Sequence, residues 1–245
     1  MKISILNKEG RHQEGSQQET LQETPANGLL DAPVGTLIVA GWTGRNRAAV
    51  EHHIEELKAI GVPPPSTTPL FYRCSPELAS TDGDQYFLGD TASGEVEPVL
   101  LFDGNDWYLG TGSDHTDRAW ETQSVAVSKQ MCPKPLAASA WRFDDVSNRL
   151  DQMTIKSWVR DTEADAWRLY QDGTLAQIMP LTELLTLSTL EQLHRPGTLS
   201  VMLCGTVPTI GTIAPATFFK FELADPATGQ SISHEYRCNY LPVAA

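Results

Sequence analysis

Positive charge is scarce in this chain. Lysine and arginine total 18 against 31 aspartates and glutamates, a formal net charge of −13 over 245 residues. The sequence pI is about 4.8. Such a balance leaves no broad basic surface for nucleic acid or anionic lipid. It still allows an anionic substrate, because a bound cation reverses the local field. Long apolar runs are also missing. No stretch approaches the ~20 residues of a membrane helix, and the polar start MKISILNKEGRHQEGSQQET is not a signal peptide. Cys74, Cys132, Cys204 and Cys238 form no Cys-x-x-Cys pair. That spacing points to free buried thiols in a cytoplasmic protein. There is no Asn-x-Ser/Thr site and no internal repeat. What remains is a globular composition, 40% apolar and 8% aromatic, with length for an ample core.

Hydrophobic periodicity and turn residues divide the chain. Residues 8–27, rich in Gln, Glu and Gly, read as a loop or loose arm. The run GTLIVAGW at 35–42 reads as a buried strand. Residues 45–60 read as a helix stopped by Gly61 and the following prolines, with Val50, Ile54 and Leu57 as its core stripe. Strands are expected at 69–74, 84–88, 95–102 and 106–111, the last two joined by the hairpin turn Asp103-Gly104-Asn105. Residues 119–130 are a helix or mixed segment, and 132–137 are extended. A second hairpin, 154–159 with 166–171, ends at an Asp-Gly turn beginning at 172. Residues 180–194 predict a second helix. Strands at 199–204, 217–223 and 231–240 complete the chain. Strands outnumber helices and short turns join most of them. The expected fold is mainly β with peripheral helices, an α+β arrangement on an antiparallel or mixed sheet. Residues 1–34 form an N-terminal arm or small β extension, and 35–245 the main domain.

One stretch carries chemistry. In SGEVEPVLLFDGNDWYLGTGSDHTDR, Glu95 and Glu97 are spaced to share one face of a strand, with Cα atoms about 6.5–7 Å apart. Two carboxylates aimed at one point repel unless a cation intervenes. Mg²⁺ takes oxygen ligands and keeps several waters, so few protein ligands suffice. Asp114, in the turn after the partner strand, supplies a third. Arg118 is placed to brace one of these carboxylates or to hold a substrate carboxylate. His115 beside Asp114 is a supporting group or exposed.

The order Glu-x-Glu, apolar strand, Asp-x-Thr-x-Arg, Lys and late Gly-Thr-x-Pro resembles the fumarylacetoacetate hydrolase superfamily. The segments AGWTGR, GSDHTDR and SKQMCPKP are most similar to an uncharacterised bacterial branch of it, a domain of unknown function. The likeness runs through roughly residues 36–240. It implies a mixed β-sheet roll of the superfamily's C-terminal type, and a catalytic domain over 35–245. It implies Mg²⁺ or Mn²⁺ on Glu95, Glu97 and Asp114, with Thr116 and Arg118 in substrate-side places. The family lysine corresponds to Lys129, with Lys134 as the other candidate. Gly205, Thr206 and Pro208 in CGTVP match the substrate-contacting turn, where Thr206 would donate a hydroxyl hydrogen bond. The family's His-x-x-Glu dyad has two candidates here, His52/Glu55 and His53/Glu56. His53 lies about 45° from the centre of the Val50/Ile54/Leu57/Ile60 stripe and His52 near the opposite side, which favours His53 with Glu56 as the base. The sequence departs from the pattern in several places. Arg47 stands where the family has an aromatic, the histidine is displaced by one residue, Ser113 replaces an Asn, and the segment from Glu97 to Asp114 is short. The activity implied is metal-dependent hydrolysis of a carbon–carbon bond in a small oxo-acid, through a metal-stabilised enolate. Alternatives are decarboxylation, hydration or tautomerisation of such an acid, or noncatalytic binding of a small acid. A homodimer is implied as well.

Overall fold

The computed structural model describes residues 1–6 and 28–244, apart from Ile60 and Val62. The expected arm at 8–27 lies outside the described residues, as does the side chain of Leu57. The chain opens with β1 (Lys2–Leu6), β2 (Leu29–Asp31) and β3 (Val34–Gly41), followed by helix α1 (Arg47–Ala59). Next come β4 (Leu70–Cys74), β5 (Ala79–Ser80), β6 (Asp84–Leu88), β7 (Ala92–Ser93), β8 (Val96–Phe102), β9 (Trp107–Ser113) and β10 (Thr116–Asp117). Short helices α2 (Arg118–Glu121) and α3 (Val125–Gln130) lead to β11 (Lys134–Pro135), β12 (Ser139–Arg142) and α4 (Phe143–Val146). The C-terminal part holds β13 (Thr154–Arg160), β14 (Arg168–Thr174), α5 (Leu181–Ser188), β15 (Leu199–Leu203), β16 (Phe218–Asp225) and β17 (Gln230–Leu241).

Two sheets organise these elements. The larger is mixed and eight-stranded, in the order β2-β1-β12-β9-β8-β15-β3-β4. The smaller has five strands, β14-β13-β16-β17-β6. Burial patterns explain the layering. In β13 and β16 buried and half-buried residues alternate, the period-two signature of a sheet with one face on the core. Central strands β8 and β15 are buried at nearly every residue, so the large sheet is covered on both faces. Ile38, Leu100, Leu109 and Met202 face the small sheet's Ile155, Phe221 and Leu223. On the opposite face, Leu37, Val39, Val99, Leu101 and Leu203 pack with Ile3 and Leu136 as the sheet curls. The fold is the mainly β, mixed-sheet roll expected from the sequence.

Several boundaries differ from expectation. Glu95 precedes β8 instead of beginning it. Asp172 and Gly173 lie inside β14, paired with Lys156 and Ile155, instead of forming a turn. The helix expected over 180–194 stops at Ser188, because Thr189 adopts a left-handed backbone (φ 52°) and a short 3-10 turn, Leu190–Leu193, follows. Helix α1 is a rim element: Val50 and Ile54 are only half-buried, so its stripe is not core. All four cysteines are buried and free. Among the described residues no helix is long and apolar enough to cross a membrane.

Candidate metal centre

The β8–β9 hairpin builds the centre. Asp103 Oδ1 accepts the Asn105 and Asp106 amides at 2.8 Å each, and Gly104 takes φ 101°, which tightens the turn. The register then sets Glu97 opposite Gly112 and Val96 opposite Ser113. Beyond the strand ends the pairing persists: the Asp114 amide donates to the Glu95 carbonyl at 2.9 Å. Carboxylate oxygens of Glu95, Glu97 and Asp114 consequently lie within 4.8 Å of one another. That spread is a fraction of an ångström beyond the ~4.2 Å separating opposite oxygens around one Mg²⁺. Asp114 Oδ1 is fully buried and accepts no hydrogen bond. Three hard oxygen donors, one of them orphaned, fit a small divalent cation.

Three cations surround these carboxylates. Lys129, delivered by α3 after its Ser124 cap, pairs with Asp114 Oδ2. Lys134 Nζ donates to the carbonyls of His115, Lys129 and Cys132 at 2.6, 2.6 and 3.0 Å, and lies 3.3 Å from Asp114 Oδ1. It is wholly buried and ties the turn together, so Lys129, not Lys134, is the lysine that faces the pocket. Arg118 reaches Glu95 at 3.1 Å, Glu121 at 3.0 Å and Ser93 Oγ at 2.7 Å.

Burial pushes the Glu97 carboxyl well above the usual carboxylate range and the Asp114 charge pushes it further; Lys129 and the Gly205 amide only partly oppose this. Asp114 behaves oppositely. Burial alone would raise it, but Lys129, Lys134 and Arg118 together hold it below its ordinary value. Burial would lower Lys129, yet Asp114, Glu95 and Glu97 outweigh that and keep it cationic.

Glu95 and Glu97 form the floor of a cavity of about 920 Å³, with Asp114 fully buried behind them. Glu95, Glu97, Lys129, Gly205, Thr206 and His53 all line it. Gly205 takes φ 99°, and a Cβ there would stand 1.6 Å from Thr43 Oγ1. Only glycine fits, and its amide donates to Glu97 Oε2 at 2.7 Å. The Thr206 hydroxyl donates to the Val96 carbonyl at 2.7 Å and accepts from Gln171 at 2.8 Å. Its hydrogen is therefore committed within the protein, contrary to the expected donation to substrate. Thr116 and Arg118 do not line the cavity. Thr116 is fully buried with its hydroxyl 3.4 Å from the Asp114 carbonyl, and Arg118 braces Glu95 from behind. His115 is not exposed. It sits among Phe87, Phe219 and Tyr236, where burial and Lys134 keep it neutral.

On α1, His53 Nδ1 lies 3.4 Å from Glu56 Oε2, and His52 Nε2 lies 3.3 Å from Glu56 Oε1. Glu56 is thus shared. Glu55 instead pairs with Lys58 at 3.3 Å, so the alternative dyad His52/Glu55 does not form. Only His53 of the two histidines lines the cavity.

Sequence reasoning missed three residues. Gln171, wholly buried, accepts from the Val96 amide (2.9 Å) and Ser157 Oγ (2.8 Å), and donates to Thr206 and the Val207 carbonyl (2.7 Å). It fastens the small sheet to the floor of the site. Trp42 and Tyr72 form a cavity wall, joined by an indole-to-phenol hydrogen bond of 3.2 Å. Trp42 has φ 62°, rare for a bulky residue. An aromatic directly after Gly41 was the only signal available.

Comparison with solved structures identifies the fold. The chain resembles 2-keto-3-deoxyarabinonate dehydratase with a TM-score of 0.61 at 12% identity, covering 87% of this chain and 75% of that one. It resembles Cg1458 with a TM-score of 0.59 at 15% identity, covering 86% and 77%. A Burkholderia cenocepacia protein provisionally named fumarylpyruvate hydrolase matches with a TM-score of 0.55 at 12% identity, over 96% of this chain and all (100%) of that one. The fold is that of the fumarylacetoacetate hydrolase superfamily. Residues 40–236 match the family described as "Protein of unknown function (DUF2848)", and the chain belongs to that family. No curated protein matches it.

Proposed function

We propose that this protein is a divalent-metal-dependent enzyme that hydrolyses a carbon–carbon bond in a small oxo-acid of the acylpyruvate class. The observation that carries this reading is the convergence of Glu95, Glu97 and the fully buried Asp114 within 4.8 Å, at a cavity lined by Glu95, Glu97, Lys129 and His53. Those carboxylates would hold Mg²⁺ or Mn²⁺, and one similar structure is 2-keto-3-deoxy-D-arabinonate dehydratase complexed with magnesium and 2,5-dioxopentanoate. When bound, such an ion supplies a Lewis acid for the substrate's keto and carboxylate oxygens.

The chain's own groups do the rest. His53, backed by Glu56, takes a proton from water. The oxygen so released bonds to the distal carbonyl carbon. The bond between that carbon and the neighbouring methylene breaks, and its electron pair stays on the methylene as an enolate. A proton then completes pyruvate, and the distal acyl group leaves as a carboxylic acid. Lys129 is a fixed positive charge for enolate or carboxylate oxygen. Gly205 orients Glu97, and Arg118 orients Glu95.

A second reading has its own support. His53 is 60% exposed, and its polar partner among the described residues is Glu56 at 3.4 Å, a loose arrangement for a base. A lyase or tautomerase acting on the same oxo-acid needs no water attack at a carbonyl. Replacing His53 by alanine separates the two: hydrolysis should fall by about 10²-fold or more, whereas full turnover would establish the second reading. Metal-dependent binding without turnover of any oxo-acid would leave a binding module. The metal reading itself is tested by melting EDTA-stripped protein with Mg²⁺ or Mn²⁺, with and without oxalate, alongside Glu95→Ala. A ligand at 100 times its Kd stabilises by about 2.7 kcal/mol; no shift with either metal would sink the proposal. Exposed Tyr86, Leu88, Leu241 and Val243, at the edge where β6 pairs with β17, support a homodimer, which sedimentation measures.

A further inference from the structure

The cavity is much larger than a pyruvate unit needs. At about 920 Å³ it lies near the upper end of the ~300–1,000 Å³ typical of small-molecule sites. Its carboxylates and Lys129 are concentrated at one place, the floor. The wall beyond them carries Trp42, Tyr72, Val50, Val207 and Ile213, interspersed with Arg45, Asn46, His53, Gln177 and Thr209. Ile213, 45% exposed, is an apolar side chain at the cavity. The Trp42 indole N–H donates to the Tyr72 hydroxyl oxygen at 3.2 Å, so the indole presents only its face and edge to the cavity, while the Tyr72 hydroxyl keeps its own hydrogen as a donor.

The charges matter equally. Arg45 lines the cavity, but its guanidinium is spent elsewhere. It makes a bidentate pair with Asp151 at 2.8 and 2.7 Å, and donates to the Ile178 and Leu175 carbonyls at 2.8 and 3.3 Å. Lys129 is held by Asp114. His53 faces Glu56. Glu121 adds a further carboxylate, paired with Arg118. A second carboxylate at the far end of a substrate would therefore meet no uncommitted cation among the described lining residues, whereas an apolar group there would cover Trp42, Val50 and Ile213.

We infer that the substrate is a monocarboxylic oxo-acid whose distal group is uncharged and apolar, aromatic or branched, seated against Trp42 and Tyr72. Resting on the oxo-acid reading above, this adds the class of the distal group. The test uses a matched pair of probes with Mg²⁺, 2,4-dioxo-4-phenylbutanoate and its 4-carboxyphenyl analogue, which differ only in the far carboxylate. Kd is measured by calorimetry for both, with oxalate as a probe of the floor alone. The phenyl compound should bind at least tenfold tighter than the carboxylated one. Trp42→Gly, which suits the left-handed backbone at that position, should weaken the phenyl compound several-fold more than oxalate. Ile213→Lys, at an exposed position, should narrow or reverse the preference by giving the far carboxylate a partner. Equal or tighter binding of the carboxylated compound by wild type overturns the inference. So does a Trp42→Gly variant that folds cooperatively and loses the same factor for oxalate and the phenyl compound. Absence of any Mg²⁺-dependent oxalate binding removes the oxo-acid reading and this inference with it, whereas oxalate binding without tail preference removes only the inference.

Discussion

The carboxylate floor and the helix at the rim of the same cavity are built to different standards. On the floor, Asp114 is 0% exposed and Lys129 8%; Asp114 is flanked by Lys129 of α3 and Lys134 of β11, Glu95 by Arg118 of α2, and Glu97 accepts the Gly205 amide. On α1, His52, His53 and Glu56 are 76%, 60% and 58% exposed, and one glutamate serves both histidines. Low dielectric makes the floor's interactions strong and their loss costly. Water screens those on the helix. The proposed metal ligands are thus preorganised by the fold, whereas the proposed base, His53 with Glu56, sits on a helix whose apolar stripe is only half-buried.

Breaking the floor should have the largest effect. Lys129→Met leaves Asp114 buried with only Lys134 beside it. Removing one partner of a buried ion pair typically costs about 3–5 kcal/mol, so a denaturation midpoint should fall accordingly. A change below about 1 kcal/mol would show that the floor is no more coupled than a surface pair. Gln171→Leu comes next. It orphans the buried Val96 amide and unties Thr206, at about 1–3 kcal/mol for each unsatisfied group. The loss should extend to Mg²⁺-dependent oxalate binding, since Val96 lies between the two glutamates. Retained binding at wild-type affinity would show that the small sheet does not support the site.

The pH response sharpens the comparison further. Glu97 has its carboxyl raised by burial and by Asp114. A carboxyl raised on folding binds more protons folded than unfolded, so its contribution is present at low pH and lost as pH rises through the raised value. Metal-free protein should therefore lose stability relative to Glu97→Gln as pH rises above the ordinary carboxylate range. Ligation requires the ionised form, so stabilisation by Mg²⁺ should grow in the same direction. Melting curves with Mg²⁺ and with EDTA measure both, and a difference independent of pH would contradict the direction assigned to Glu97.

Much of this was legible in the sequence for local reasons. Glu-x-Glu beside an apolar run, the Asp103-Gly104-Asn105 turn and the later Asp114 fix the hairpin and its register, because period-two geometry acts over a few residues. Glycine at 205 was legible as part of a motif. Its reason, the contact with Thr43 across the sheet, is a long-range fact. Gln171 was invisible: a lone glutamine in a strand carries no local mark of four hydrogen bonds to distant partners. Arg45 was visible as part of Gly-Arg-Asn, but not its turn toward Asp151, which α1 and the segment before β13 decide together. The stop at Ser188 was hidden as well, since the helical pattern of Leu residues continues through Thr189. Hydrophobic periodicity and turn residues pointed to the mainly β class; cross-sheet packing decided which polar side chains faced the cavity.

The smallest expected effects are on α1, and they test the contrast most sharply. His52→Ala and His53→Ala each remove an exposed partner of Glu56 and leave the other in place. Surface changes of this kind stay within about 0.5 kcal/mol, or roughly 1–2 °C in Tm for a chain of this size. The two variants should therefore be thermally indistinguishable. Only His53 lines the cavity, so turnover should separate them where stability does not: His53→Ala falls and His52→Ala remains near wild type. Equal losses of activity would mean that Glu56, held from both sides, is the group that matters. A Glu56→Gln variant, which keeps the shape and removes the charge, would then fall further than either histidine variant.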